Sequence, residues 1–203
     1  LNRKQYASAG QAFNLSADFF NVNEYFTPGS TSVIPEYTEA EYQWWRLKLS
    51  AEQYFGSSWF RPGYFLEAVF SDQPFFQNYF GTIINTPGFF PLQDSRTLLL
   101  KNFRSFNYIG GGVRNVIRLH NKVDFRLEGY LFKPFEYILQ NEDQDAISTS
   151  KLNSIFFTGT AGVVYHSPIG PVSLSMNYYD DDRNQLGALL HIGFLLYNKH
   201  SME

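Results

Sequence analysis

The residue types that usually carry chemistry are present in this chain but poorly grouped for it. His120, His166, His191 and His200 fall in separate segments with no i, i+4 pair, so no helical zinc motif is expected. Asp180-Asp181-Asp182 offers carboxylate oxygens that suit a hard ion such as calcium, though a solvated turn explains the same run more simply. Gly110-Gly111-Gly112 is followed by neither Lys-Ser/Thr nor a helix, so it reads as a flexible strand start and not a phosphate loop. No Gly-x-Ser-x-Gly elbow occurs and no Asp precedes a Gly, so no acyl-transfer nucleophile can be assigned. Cysteine is absent, which removes thiol, disulfide and thiolate–metal chemistry. The expectation is a chain with no catalytic residue, cofactor or metal site of its own.

The charged residues that do recur sit in the middle of alternating segments: Arg46, Lys48 and Glu52, then Glu67, Arg114, Arg118, Asp124, Arg126 and Glu128. Such groups suit ion pairs and a polar, hydrated surface rather than a dry core. The elements that carry them have a period of two. Val172, Leu174, Met176 and Tyr178 alternate with Ser173, Ser175 and Asn177, which puts apolar groups on one face of a strand and polar groups on the other. The same beat recurs to give eight strands, at about residues 6–20, 42–55, 60–70, 109–120, 123–132, 155–165, 172–178 and 186–197. In the first, Ala7, Ala9, Phe13, Leu15, Ala17 and Phe19 share the apolar face. The last aligns Leu186, Ala188, Leu190, Ile192, Phe194 and Leu196.

Strands of roughly 10–15 residues exceed the usual length in soluble sheets and suffice to cross a bilayer at a tilt. The connections alternate between short and long. Short turns are expected at Gly56-Ser57-Ser58, near Asn121-Lys122 and at Ser167-Pro168; longer loops fall between, the longest about 74–105, and 180–184 forms a polar link. Outer-membrane barrels carry short periplasmic turns and longer outside loops in this rhythm. The 44% hydrophobic and 19% aromatic content, with 21 Phe and 14 Tyr, fits strands and interfacial girdles. Mean hydropathy is slightly negative and no run of about 18 apolar residues occurs, so no membrane helix is expected. A net charge of −3 with scattered basic residues argues against a nucleic-acid partner. The rival architecture is a soluble sandwich, whose apolar faces would pack on each other. The start at Leu1, without Met or leader, reads as a piece of a longer, processed protein.

Two motifs point to a family. The stretch Gly159-Thr160-Ala161-Gly162-Val163-Val164-Tyr165-His166-Ser167-Pro168-Ile169-Gly170-Pro171-Val172 resembles the penultimate hairpin of the bacterial surface-antigen barrels. That superfamily includes the outer-membrane assembly factor and the two-partner secretion transporters. Pro168 and Pro171 lack N–H donors at the strand ends, and Gly170 relieves crowding between them. The second motif closes the longest loop, as Phe103-Arg104-Ser105-Phe106. It is similar to the family's hydrophobic-Arg-Gly-aromatic motif, with Ser105 in place of Gly. The resemblance implies that loop 74–105 folds into the lumen and that Arg104 pairs with Glu128 of the inner wall, in bidentate geometry.

Barrels of that superfamily have sixteen strands, with the lumen-folded loop after the eleventh. Here the loop follows the third strand and five strands come after it, so residues 1–203 would form the C-terminal half of the barrel. An autonomous eight-stranded barrel is the alternative, but its interior is filled by side chains and leaves little room for such a loop. The segments Asn78-Tyr79-Phe80-Gly81-Thr82, Asp94-Ser95-Arg96-Thr97-Leu98-Leu99-Leu100, Asn102-Phe103-Arg104 and the run from Asp124 through Glu128 to Phe132 look like the barrel of patatin-like phospholipases. This implies an antiparallel transmembrane β-barrel anchor in the bacterial outer membrane, with a lipid acyl hydrolase domain upstream. The implied partners are outer-membrane lipid, the N-terminal half of the same barrel, an upstream periplasmic or catalytic domain, and a second copy in a homodimer. The alternative is the barrel of a protein insertase or secretion transporter with no enzyme attached.

Overall fold

The computed structural model describes residues 1–3, 5–30, 37–56, 58–149, 154–183 and 185–193. It is all-β. Among the described residues ten strands form: β1 (Gly10–Phe26), β2 (Thr38–Tyr54), β3 (Phe60–Ser71), β4 (Tyr108–His120), β5 (Val123–Pro134), β6 (Tyr137–Gln140), β7 (Ala146–Thr149), β8 (Phe156–Ser167), β9 (Gly170–Tyr179) and β10 (Leu186–Ile192). Among the described residues the long loop holds one short α-helix, α1 (Tyr79–Asn85), and two 3-10 turns, Asp94–Arg96 and Lys101–Phe103. Eight strands make one antiparallel sheet in the order β1-β2-β3-β4-β5-β8-β9-β10, and β6 and β7 form a separate hairpin. Every neighbour in the large sheet is a sequence neighbour apart from that hairpin, so the sheet is a meander.

The eight expected strands are all present, with boundaries moved. β1 begins at Gly10, so Ala7 and Ala9 are not on its apolar face. Gly10, at φ +93°, turns the chain, and Arg3 and residues 6–8 lie against the polar face of the sheet. There the Arg126 Nη1 donates to the Ala7 carbonyl oxygen at 2.8 Å and the Arg61 Nη1 to the Ser8 hydroxyl oxygen at 2.8 Å. Phe194, Leu196 and the end of the last expected strand lie outside the described residues, as do His200, Ser57 and Asn184. The loop expected between the fifth and sixth strands contains the β6–β7 hairpin, whose short strands lack the length that makes a period of two legible.

Connections at one end of the sheet are short: 55–59, 121–122 and 168–169. Those at the other end are long: 27–37, 72–107, 135–155 and 180–185. The Pro168-Ile169 turn joins Ser167 to Gly170, which are paired, and Gly170 adopts φ +130°, a conformation that favours glycine. The Ser167 hydroxyl donates to the Gly170 carbonyl oxygen at 2.5 Å. Pro168 thus sits in a two-residue turn, and Gly170 and Pro171 open β9.

The two faces are inverted relative to a soluble sheet. On one face large apolar groups stand exposed: Leu127 is 50% accessible, Leu174 59% and Leu190 65%. The other face carries the charges and is covered by loop 72–107. No second sheet covers the apolar face among the described residues, so the sandwich is not formed. β1 pairs only with β2, and β10 only with β9. The described residues therefore form an open sheet and not a closed barrel.

Loop 72–107 has its own local logic. Asn78 caps α1 by accepting a 2.7 Å hydrogen bond from the Gly81 N–H. Phe89, Leu92, Leu100 and Phe103 of the loop pack in one cluster with Val69, Tyr108, Tyr130, Phe132 and Tyr179 of the sheet. Burying an aromatic or leucine side chain of this kind is worth about 1.5–3 kcal/mol. Gly110 makes this docking feasible, because a Cβ there would lie 2.5 Å from the Phe89 ring. The glycine run at the start of β4 thus gives clearance, a more specific role than strand-start flexibility.

Candidate functional site

The covered face holds a cavity of about 620 Å³ between the sheet, residues 5–7 and the loop. Charged residues of four adjacent strands meet on it. They do so because residues two apart on a strand share a face, and the register lines the strands up: Glu52 pairs with Phe65 across β2–β3, and Arg114 with Glu128 across β4–β5.

Glu128 is the centre of the network. It accepts from the Arg126 Nε at 2.8 Å and from the Tyr130 hydroxyl at 2.5 Å, and the Arg114 Nε lies 3.9 Å away. Arg114 also pairs with Glu52 and donates to the Tyr130 oxygen at 2.7 Å. Arg126 further donates to the Tyr54 oxygen at 3.1 Å. One strand over, the Lys48 Nζ lies 3.3 Å from Glu67, which also accepts from the Tyr108 hydroxyl at 2.8 Å. Glu128, Arg114 and Arg126 each have an opposite charge and further hydrogen bonds, the condition under which burial of ions is tolerated.

Glu128 faces the covered side of the sheet, and Arg104 does not reach it. The Arg104 Nη1 donates to the carbonyl oxygens of Ile83 at 3.0 Å, Ile84 at 3.1 Å and Thr86 at 2.9 Å. The guanidinium lies 5.2 Å from the Phe90 ring centroid. The expected Arg104–Glu128 pair is thus corrected: the short helix ends in carbonyls without intrahelical partners, and a guanidinium satisfies three of them from within the loop. Glu128 already has Arg114 and Arg126. Burial holds the Arg104 guanidinium below its ordinary pKa.

Ser105, in the place of the family's Gly, is fully buried and its backbone is not in the left-handed region. Its hydroxyl donates to the Glu136 carbonyl oxygen at 2.8 Å, tying the loop end to the segment after β5. The loop is held to the wall by a residue that the sequence motifs did not single out for the purpose. Asp94 accepts from the Asn177 side chain at 2.6 Å and from the Tyr179 hydroxyl, both on β9. A second tie joins the Asn102 side chain to the Asp180 carbonyl oxygen at 3.2 Å, and Asp181 accepts the Asn102 N–H at 3.4 Å. The acidic run is in part a buried, hydrogen-bonded turn, with Asp181 only 5% exposed. An isolated Asp in a loop looks solvated in sequence; only its partners on a strand more than eighty residues away reveal it.

The arrangement offers no hydrolytic relay among the described residues. His166 lies 2.7 Å from Asp124, but its other close contact is Arg3 at 2.9 Å and not a hydroxyl. No group of three or more metal-ligating side chains is found among the described residues. What the site can do is hold a loop on a charged wall. Comparison with protein-family models, curated proteins and solved structures gives no match.

Proposed function

We propose that this chain is the C-terminal half of a sixteen-strand outer-membrane barrel of surface-antigen type, serving as the anchor of a patatin-like phospholipase. The inverted sheet carries the reading. Its outward apolar groups are exposed while its charges are covered, an arrangement unfavourable in water and favourable where the outer face meets lipid. Contiguous apolar exposure well beyond a few hundred Å² marks an interaction surface, and the exposed set spans all eight strands of the sheet. The open edges at β1 and β10 support the half-barrel count, since an unpaired edge in hydrocarbon leaves backbone groups without partners. Eight further strands, contributed by the N-terminal half of the barrel, would pair both.

The role of the fragment is then mechanical. The outer face binds lipid, the covered face forms a polar lumen, and loop 72–107 plugs it. The phospholipase assignment rests on the quoted sequence resemblance, and the hydrolase would lie upstream. These 203 residues contain no cysteine, so single substitutions here report on this segment once any cysteine elsewhere in the gene product is replaced. In outer membranes containing the full gene product, Leu127→Cys and Leu174→Cys are expected to resist a water-soluble maleimide, while Asn121→Cys in the short turn reacts. Free reaction of both outward positions in intact membranes would overturn the lipid-facing reading. An upstream Gly-x-Ser-x-Gly with phospholipid hydrolysis supports the enzyme; periplasmic repeats without that elbow support the insertase or transporter instead.

A further inference from the structure

A second cavity, of about 430 Å³, lies between the loop and strands β1 to β3. Its walls carry Arg46, Lys48, Arg96, Arg104 and the amide of Gln73, and no carboxylate lines it among the described residues. Two of these cations are neutralised: Arg46 lies 3.3 Å from Asp18, and Lys48 lies 3.3 Å from Glu67. The other two are not. Arg96 is exposed and forms no ion pair among the described residues, and Arg104 contacts only neutral carbonyls and a ring.

Two residues of its walls, Gln73 and Arg104, carry unused donors just beneath the surface. Gln73 is 6% exposed, and its Nε2 has no hydrogen-bond partner; the Arg104 Nε is likewise buried without one. A buried donor left unpaired costs about 1–3 kcal/mol, so a ligand that supplies acceptors here recovers that cost. Phe20, Trp44 and Phe76 form an aromatic wall to the cavity; Phe20 and Trp44 are stacked at 4.9 Å and Phe76 meets Trp44 edge-on at 6.0 Å.

We infer that this cavity is a binding site for a phosphate-bearing ligand. The oxyanion is held by Arg96, Arg104 and Gln73, and any alkyl portion rests against the aromatic wall. Guanidinium forks match phosphate oxygens, and donors arriving from three separate parts of the loop suit a tetrahedral group better than a planar one. The inference does not depend on membrane insertion or on an upstream hydrolase. The phosphate can come from a free anion or from the head of a single-chain amphiphile, and the two sources are distinguishable.

The test is calorimetric titration of the full gene product in a nonionic detergent, with inorganic pyrophosphate in one arm and dodecyl phosphate in the other. Saturable binding of either probe is expected, with Arg96→Gln weakening it about tenfold or more. Gln73→Leu, which removes the unpaired amide, is expected to weaken it as well and serves where Arg96→Gln perturbs the loop. Tighter binding of dodecyl phosphate assigns an amphiphile; equal binding assigns the free anion. Absence of binding in both arms overturns the inference, as does binding unchanged in both variants. A carboxylate seated on Arg96 from elsewhere in the gene product would give the first of these overturning results.

Discussion

Asp94, in the middle of the long loop, accepts a 2.6 Å hydrogen bond from the side chain of Asn177 on β9. The Tyr179 hydroxyl donates to the same carboxylate. This contact crosses the covered face and joins a loop that leaves the sheet at β3 to a strand four places further along it. It is a charge-assisted bond in a partly buried setting, about twice as strong as a neutral one. Asp94→Asn is expected to cost about 1.5–3 kcal/mol of loop docking. Faster cleavage within loop 72–107 by limited proteolysis, with the sheet's circular dichroism unchanged, checks it. A double-mutant cycle with Tyr179→Phe should show coupling; independent effects would remove Asp94 as the tie.

Arg104 acts within the loop. Arg104→Ala leaves three carbonyl oxygens at the end of α1 without their donor, and the expected loss is about 1–3 kcal/mol. Proteolysis should open the loop first near residues 79–86. Glu128→Gln should leave that region's protection intact. Matching loss of protection in both variants would restore the direct Arg104–Glu128 pairing that the sequence motif implies.

Glu128→Gln has its own signature on the wall. It leaves Arg114 with Glu52 and deprives Arg126 of its carboxylate, and removal of one partner from a buried pair costs about 3–5 kcal/mol. A heat-modifiability shift to lower temperature, measured by electrophoretic mobility, is the readout. An unchanged transition would show that the network is hydrated and weak.

Gly110→Val places a side chain where the Phe89 ring packs, because even a Cβ would sit 2.5 Å from it. Overpacking of this kind costs about 1–3 kcal/mol. Phe89→Ala in the same chain should relieve the clash while retaining its own cavity cost. A double variant no better than the sum of the singles would show that the two do not meet.

The segment 5–9 is held in part by Tyr6, whose hydroxyl donates to the Gln93 side chain at 2.7 Å and contacts Ser173. Burial raises the Tyr6 phenol above its ordinary value of 10.0. A raised pKa favours the neutral form in the docked segment, so the contribution is complete below pH 10 and is lost as pH rises through the folded value. Protection of residues 1–9 from an aminopeptidase should fall above about pH 10. Tyr6→Phe should remove that alkaline component and lower protection at neutral pH by about 1 kcal/mol.

The strands and their two faces were legible in the amino-acid sequence because a period of two survives without knowledge of any partner. Leu174 and Ser173 fall on opposite faces whatever the strand pairs with. The Pro168–Pro171 turn was legible for the same reason, since proline and glycine act on their own backbone. Short elements were not: β6, β7 and α1 are too brief to show a period and depend on the packing of Tyr79, Ile83, Phe106, Ile138 and Ala146. The partners of Arg104 and Asp94 could not be read from residue type, since a guanidinium can donate to carbonyl oxygens as well as to a carboxylate. Sequence alone determined which residues share a face; tertiary structure decided which of them meet, because contacts across 80 or more residues depend on where the loop docks and not on local chemistry.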